Sequence, residues 1–436
     1  MPRLRPPRDP VTIHFDGQPV PAERGEPVAA ALVAAGHLAL ARSPKFHRPR
    51  GPACFRGACD GCLARVDGVP NVMTCRVPAA DGLRIEVQNV VGSKDTDLLR
   101  VADWFFPEGM NHHELLAGVP GLQRVMQGFA RRVAGLGRLP EQTLLPRDAG
   151  RLEVDCLVVG SGPAGMAAAT ELATRGRQVV VVEDDLAWGG AARALEGAGR
   201  TEWAAITAPF RKALEGSRVA VWPRTTAAGI YGDDVLLVRE ERGAPDAMAG
   251  QTPPVALARA RTLVLAPGAH DGSIAFEGND VPGVMSARAA CRLLAHGVIP
   301  GRRVVVVRVE GGSPFGQAYS DACSGVTLID GAPVRVSGSA RVRRVTVAAG
   351  AVGAEHAPSS HDCDVLVIDA PTSPAYELCA QAGATLSHEP RGFLVRPAGP
   401  GGRLRDGVLA IGEVVGTPLE PSALQEEARR LAAASG

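Results

Sequence analysis

Four cysteines lie close together near the N-terminus: Cys54-Phe-Arg-Gly-Ala-Cys59-Asp-Gly-Cys62, then Cys75 after twelve intervening residues. A C-x4-C-x2-C run with a distant fourth thiol suits a [2Fe-2S] core, which takes two thiolates per iron from a loop folded over it. Gly57, Ala58 and Gly61 leave room for the backbone to close on such a core and to turn N–H groups toward sulfur, which tunes its potential. Zinc is the alternative. It usually takes thiolates from two C-x2-C knuckles, and only Cys59 and Cys62 form one. Cys156, Cys291, Cys323, Cys363 and Cys379 sit in apolar or helical surroundings and read as small buried hydrophobes.

A second chemical signal is Val154-Asp-Cys-Leu-Val-Val-Gly160-Ser161-Gly162-Pro163-Ala164-Gly165, a strand, a G-x-G-x-x-G turn and a helix start. Gly160 permits the tight turn, Gly162 lets backbone approach a pyrophosphate, and Gly165 lets helix pack on strand. The helix N-terminus offers free N–H groups to phosphate. Gln178 to Val182 is the next strand. Glu183, followed by Asp184, closes it 23 residues after Gly160, where a ribose-binding acid belongs. A Gly-rich turn without a ligand is the bland alternative.

Two later segments favour a flavin over a nicotinamide. Thr262-Leu-Val-Leu-Ala-Pro-Gly268-Ala269 resembles the crossover motif of glutathione-reductase-like flavoproteins. Gly407-Val-Leu-Ala-Ile-Gly412-Glu413 resembles their late FAD motif, with Glu413 where that family more often has Asp. The helix from about Pro421 would aim its positive end at the flavin ring. Arg302-Arg-Val-Val-Val-Val-Arg-Val-Glu-Gly311-Gly-Ser313-Pro-Phe-Gly316 is a weaker copy of the nucleotide turn. Ser313 replaces the middle glycine and crowds a pyrophosphate, and Asp330, ending the next strand, is either a ribose ligand or a turn residue. Cys291 stands alone where thioredoxin-reductase-like enzymes carry C-x-x-C, which argues against disulfide reduction.

These sites need particular elements behind them. Residues 11–20 read as a hairpin turning at Asp16-Gly17, Pro27 to Gly36 as a short helix, and Leu63–Val66 and Leu83–Val87 as strands. Asp97 to Trp104 and Gly121 to Leu136 carry helical periodicity without a chemical motif. From Leu152, strand, Gly-rich turn, helix and strand alternate, which signals a doubly wound α/β unit. Arg302–Val309, Cys363–Asp369 and Gly407–Ile411 read as further strands. Pro421 to Ala434 reads as a helix with Ser422 and Gln425 spaced like a capping box. The expected fold is therefore α/β, with a compact unit over 1–95, a helical connector over 96–150 and a doubly wound part beyond; family resemblance implies that the first is a β-grasp ferredoxin-like domain and the last a glutathione-reductase-like two-dinucleotide-binding fold. In that fold 151–270 and 356–436 form the FAD-binding part and 271–355 a degenerate NAD-binding-like lobe.

Composition excludes other classes. The 436 residues carry 47 basic and 46 acidic side chains, so no field of one sign attracts nucleic acid or an anionic membrane. Aromatics make up only 4%, too few for base-stacking platforms. The basic start lacks an apolar stretch and does not read as a signal peptide, and Val28 to Ala35 is too short to span a bilayer. Clustered rather than dispersed cysteines suggest a metal site in a reducing, cytoplasmic setting.

The Cys region, over about residues 11–90, resembles β-grasp ferredoxin domains, with Cys54, Cys59, Cys62 and Cys75 as the cluster ligands. Arg42-Ser-Pro-Lys-Phe-His-Arg-Pro-Arg-Gly51 and Phe276-Glu-Gly-Asn-Asp-Val-Pro-Gly-Val-Met285 resemble segments of the α subunits of heterotetrameric sarcosine oxidases. That similarity extends to hydrogen cyanide synthase, opine oxidase and proline or hydroxyproline dehydrogenase. It implies an FAD-dependent oxidoreductase subunit of a hetero-oligomer. A partner β subunit of the glycine/D-amino-acid oxidase type, itself holding FAD, would oxidise an amine or imino acid. Electrons would then pass between flavin and cluster in this chain. The α subunits hold FAD, NAD or ATP in the dinucleotide site, and some members carry FMN at the α–β interface. A self-sufficient NAD(P)H-dependent reductase is the alternative. The basic run Arg42, Lys45, His47, Arg48, Arg50 reads either as phosphate or cluster contacts or as a solvated loop. His112-His113 reads as a surface or interface pair. No general base or nucleophile has motif support.

Overall fold

The computed structural model describes residues 3–44, 46–88, 90, 92, 96–101, 122, 125, 148–241, 253–349 and 357–435. The expected helix over Gly121 to Leu136 lies outside them except at Leu122 and Val125, as do residues 102–104 of that over Asp97 to Trp104 and His112-His113; Leu98–Arg100 is a short 3-10 helix.

Along Pro10–Phe15 the side chains of Val11, Ile13 and Phe15 alternate into the core, the period of a half-buried strand. The chain reverses at Asp16-Gly17 with φ of +47° and +79°, the left-handed pair whose twist suits a two-residue hairpin, and Phe15 faces Gln18. Arg84–Glu86 runs parallel to the first strand. The sheet order is Gln18–Glu23, Pro10–Phe15, Arg84–Glu86, Leu63–Val66, Val69–Met73. Helix Val28–Ala34 is buried from Val28 through Val33 and ends before Gly36. This is a β-grasp unit.

Leu157-Val158-Val159 and Val179–Val182 are near-continuous apolar runs, as parallel strands need when helices cover both faces of their sheet. Parallel pairing places Val219–Trp222, Val179–Val182, Gly150–Val159, Val255–Leu265 and Val408–Ala410 side by side. Helices Pro163–Thr174 and Pro421–Ala434 pack together against this sheet. The second lobe has a parallel core, Val284–Ser286, Val365–Asp369, Val304–Arg308, Val326–Gly338, with two antiparallel strands added at its edge.

Three expectations need correction. Strands Ser359–Asp362 and Val365–Asp369 pair within the second lobe, so the expected return to the FAD part at 356 falls inside that lobe. The strand through Asp330 does not stop there. It continues to Gly338, exchanging a parallel neighbour for an antiparallel one. There is no capping box at the last helix: Glu420 is its N-cap, Pro421 occupies the first turn, and Gln425 Nε2 donates to the Ala205 carbonyl.

Candidate functional site

The structure brings the four clustered thiols together in pairs. Cys54 Sγ lies 3.4 Å from Cys59 Sγ, and Cys62 is hydrogen-bonded to Cys75. Within each pair one thiol is acidified by its neighbour, Cys59 by Cys54 and Cys62 by Cys75. The other, Cys54 or Cys75, is pushed up by the same bond and by burial. The N–H groups of Arg56 and Ala58 reach Cys54 Sγ at 3.5 and 3.3 Å, and those of Gly61 and Gly57 serve Cys59 and Cys75. Tight packing enforces this loop. A Cβ on Gly61 would lie 1.8 Å from the Gly51 carbonyl oxygen, and one on Gly57 2.5 Å from Arg76 Cδ. Among the described residues no three His, Cys, Asp or Glu converge on one metal ion. Two thiol pairs served by backbone donors fit a binuclear cluster with two thiolates per iron.

The dinucleotide motifs also converge. Gly160 has φ +97°, and a Cβ there would lie 2.3 Å from the Ala266 carbonyl oxygen on the crossover segment. A Cβ on Gly165 would lie 1.9 Å from the Gly160 carbonyl, and one on Gly412 2.6 Å from Ala164 Cβ. Gly162 differs: a Cβ there meets nothing within 4 Å, because its backbone faces an open cleft of about 220 Å3. That open approach at a helix N-terminus is what a pyrophosphate requires. Gly160, Gly162, Pro163, Glu183, Asp184, Gly268, Ala269 and Glu413 line the cleft. Ser161, Ala164, Gly165 and Gly412 support it from behind.

Glu183 turns inward. Its Oε2 accepts from the Ser161 N–H at 2.8 Å and the Ser161 hydroxyl at 2.5 Å, and its Oε1 from the Asp185 N–H at 3.0 Å. Burial, and then the charges of Asp184 and Asp185, push its pKa up to about 7. Burial is the largest influence on Asp184 and opposes its ionisation, but Arg76, the hydrogen bond with Glu183, Arg56 and Arg292 together hold that carboxyl below the usual range. Glu413 Oε1 accepts from Arg288 at 3.2 Å and from the Thr372 hydroxyl at 3.3 Å.

Four arginines in or beside this cleft escaped the sequence reading. Arg288, 5% exposed, donates to the Ala269 carbonyl at 3.1 Å and lies over the Phe315 ring. Arg292, one helical turn on, donates to the Phe55 carbonyl at 3.0 Å and to Asp185 at 2.9 Å. Arg56 reaches from the cysteine loop to the Ala269 carbonyl at 2.6 Å. Arg76, beside Cys75, bonds Asp184 Oδ2 at 3.2 Å. The available signals were an i, i+4 Arg pair on a helix capped by Ser286, and Arg next to two of the clustered cysteines. The basic run behaves otherwise. None of its described residues lines the cleft. His47, with φ +52°, is buried against Asp97 at 2.8 Å, and Arg50 pairs with Asp280.

In the second lobe the phosphate seat holds a side chain. Asp369, fully buried, accepts from the Ser313 N–H at 2.9 Å, the Ser313 hydroxyl at 2.5 Å and the Gly316 N–H at 3.2 Å. Asp330 is taken by Arg308 through two bonds of 2.6 and 3.0 Å. The donors that a dinucleotide would use there are engaged by the protein, and the residues do not fit NAD(P). The five remaining cysteines match expectation: Cys156, Cys291, Cys363 and Cys379 are buried, Cys323 partly so, and all are free thiols.

Comparison with known proteins agrees with this geometry. Residues 8–90 match the family of 2Fe-2S iron–sulfur cluster binding domains, and residues 155–216 match the FAD dependent oxidoreductase family. The sarcosine oxidase subunit alpha of Rhizobium meliloti is 30% identical over 79% of this chain and 37% of its own length. The hydrogen cyanide synthase subunit HcnA of Pseudomonas aeruginosa is 38% identical over 18% of this chain and 75% of its own length. The chain spans about a third of the length of the sarcosine oxidase subunits it matches. Among solved structures, L-proline dehydrogenase from P. horikoshii shares the fold, with a TM-score of 0.70, 23% identity, and coverage of 99% of this chain and 74% of that one. The α/β architecture with a ferredoxin-like N-terminal domain holds, and [2Fe-2S] and FAD are the cofactors.

Proposed function

We propose that this FAD-dependent oxidoreductase, a homologue of the sarcosine oxidase α subunits, relays electrons between flavin and [2Fe-2S] cluster within a complex that oxidises an amine or imino acid. The observation that carries the reading is the junction of the two sites. Arg292 ties the Phe55 carbonyl of the cysteine loop to Asp185, and Arg56 crosses from that loop into the cleft. Redox groups held on either side of so short a packed contact are placed for electron exchange.

Bound flavin supplies a two-electron acceptor able to release electrons singly, and a [2Fe-2S] cluster carries one at a time. The chain's own work is positioning and electrostatics. Cys54, Cys59, Cys62 and Cys75 hold the irons, with amides from the loop polarising their sulfurs. Gly160, Gly162 and the Pro163 helix start receive the pyrophosphate, and Glu183 with Asp184 receives the ribose. Gly268, Ala269 and Glu413 border the flavin half. Arg288 fixes Glu413 and the Ala269 carbonyl.

The relatives' names, sarcosine oxidase subunit alpha and L-proline dehydrogenase among them, support amine or imino-acid oxidation within a heteromer, and the proposal extends from there. Hydride removal from a sarcosine-, proline-, opine- or glycine-like substrate belongs to a partner β subunit of the glycine/D-amino-acid oxidase type that carries its own FAD. A further FMN would sit where the two meet. Free thiols throughout suit the cytoplasm. The rival, a self-sufficient NAD(P)H reductase, needs a second-lobe phosphate seat, and Asp369 holds it. Anaerobic mixing separates the two. NADH or NADPH should leave the flavin band unchanged over seconds, while a secondary amine should bleach it once the co-purifying partner is present. Rapid bleaching by a nicotinamide in the isolated chain would falsify the relay.

A further inference from the structure

The guanidinium of Arg56 stands out among the cleft arginines. Arg76, Arg288 and Arg292 each have a carboxylate within ion-pair distance. The direct partner of Arg56 is a neutral carbonyl, that of Ala269, and no carboxylate lies within 4.0 Å of it among the described residues. A planar cation left with spare N–H donors in a phosphate-sized cleft is matched to an anionic ligand. Its position is set by the cysteine loop. Phe55 has φ +51° and Gly57 φ +76°, and between these left-handed turns the Arg56 side chain leaves the loop on the cleft side while its N–H faces Cys54 Sγ. The same residue therefore serves a cluster ligand with its backbone and the dinucleotide cleft with its side chain.

We propose that Arg56 is a dinucleotide-binding residue supplied by the cluster loop, so that cluster loading and dinucleotide affinity are linked. This rests on the cofactor assignment above. An ordered cluster fixes the loop, and the fixed loop presents the cation to the phosphates. Linkage makes the effect reciprocal: a bound dinucleotide favours retention of the cluster.

The test uses ADP, the redox-silent adenosine diphosphate half of FAD, titrated calorimetrically into flavin-stripped protein whose iron and sulfide are measured alongside. Arg56→Gln with its cluster intact should bind ADP about tenfold more weakly than the parent, a typical size for coupling between sites. Arg56→Lys keeps the charge, should recover part of the loss, and serves as the comparison if the Gln protein sheds iron. Chelating the cluster from the parent should weaken ADP binding to a similar degree, and should add little in Arg56→Gln. Arg65→Gln, on a half-buried arginine bonded to the Gly68 carbonyl and away from the cleft lining, should bind as the parent does. Equal ADP affinity in the parent and Arg56→Gln overturns the inference while the cofactor assignment stands. Equal affinity with and without cluster overturns the linkage. Parent protein that binds neither ADP nor FAD overturns the cofactor assignment and the inference together.

Discussion

At the scale of single residues, two buried carboxylates, Glu183 and Asp369, each accept from three donors around a glycine-rich turn. Glu183 satisfies the Ser161 amide and hydroxyl from the end of its strand, yet its burial raises the pKa to about 7. A carboxyl with a folded pKa above its ordinary 4.5 holds more protons in the folded state between those values, so stability falls as pH rises through that window. Flavin-free protein should therefore lose stability from about pH 4.5 to about pH 7, and Glu183→Gln should flatten that slope in urea melts at several pH values. Asp369 likewise accepts from three donors, all in the second lobe's turn. Asp369→Ala should cost about 3 kcal/mol of unfolding free energy through the unpaired donors. It should leave FAD affinity unchanged, because Asp369 does not line the FAD cleft. The acid at Asp330 was visible in sequence. Asp369 was not, because a strand-terminal Asp declares no partner until the fold places it under the turn 56 residues upstream of it in the chain.

At the scale of elements, glycines separate what holds the fold from what holds the ligand. Gly165 and Gly162 belong to one turn, but a Cβ on Gly165 overlaps the Gly160 carbonyl and one on Gly162 overlaps no protein atom. Gly165→Ala should unfold the dinucleotide domain or abolish its soluble expression. Gly162→Ala should fold with a parental far-UV spectrum and the melting temperature of the flavin-free parent, yet fail to hold FAD by crowding the pyrophosphate. Gly61→Ala should strip iron from the N-terminal domain, since its Cβ would enter the Gly51 carbonyl. Most of this scale was legible. The Asp16-Gly17 hairpin, the Gly-rich turn, the apolar parallel strands and the helix at Pro421 follow from turn chemistry and periodicity. The capping box was misread because the S-x-x-Q pattern is local, whereas Pro421 starts the helix one residue earlier and Gln425 is drawn to Ala205. The domain return near 356 was misplaced because strand order in a sheet is not written in sequence order.

At the scale of the molecule, the cysteine loop and the dinucleotide cleft form one electrostatic unit. Arginines 56, 76 and 292 cross between them and meet Ala269, Asp184 and Asp185. Sequence motifs located each site but not their contact, since Arg76 and Arg292 belong to no motif, Arg56 fills an unspecified position of the cysteine run, and their partners are more than a hundred residues away in the chain. Ion pairs at this junction are partly exposed, so raised salt should loosen the coupling more than it loosens either domain. The central claim, a flavin and a binuclear cluster together in this chain, is tested most directly by a reductive titration under argon followed by electron paramagnetic resonance. The account predicts about three electrons per chain, two for flavin and one for the cluster, with one cluster spin lost in Cys62→Ser. Uptake of only two electrons by protein that contains zinc or no iron would contradict it.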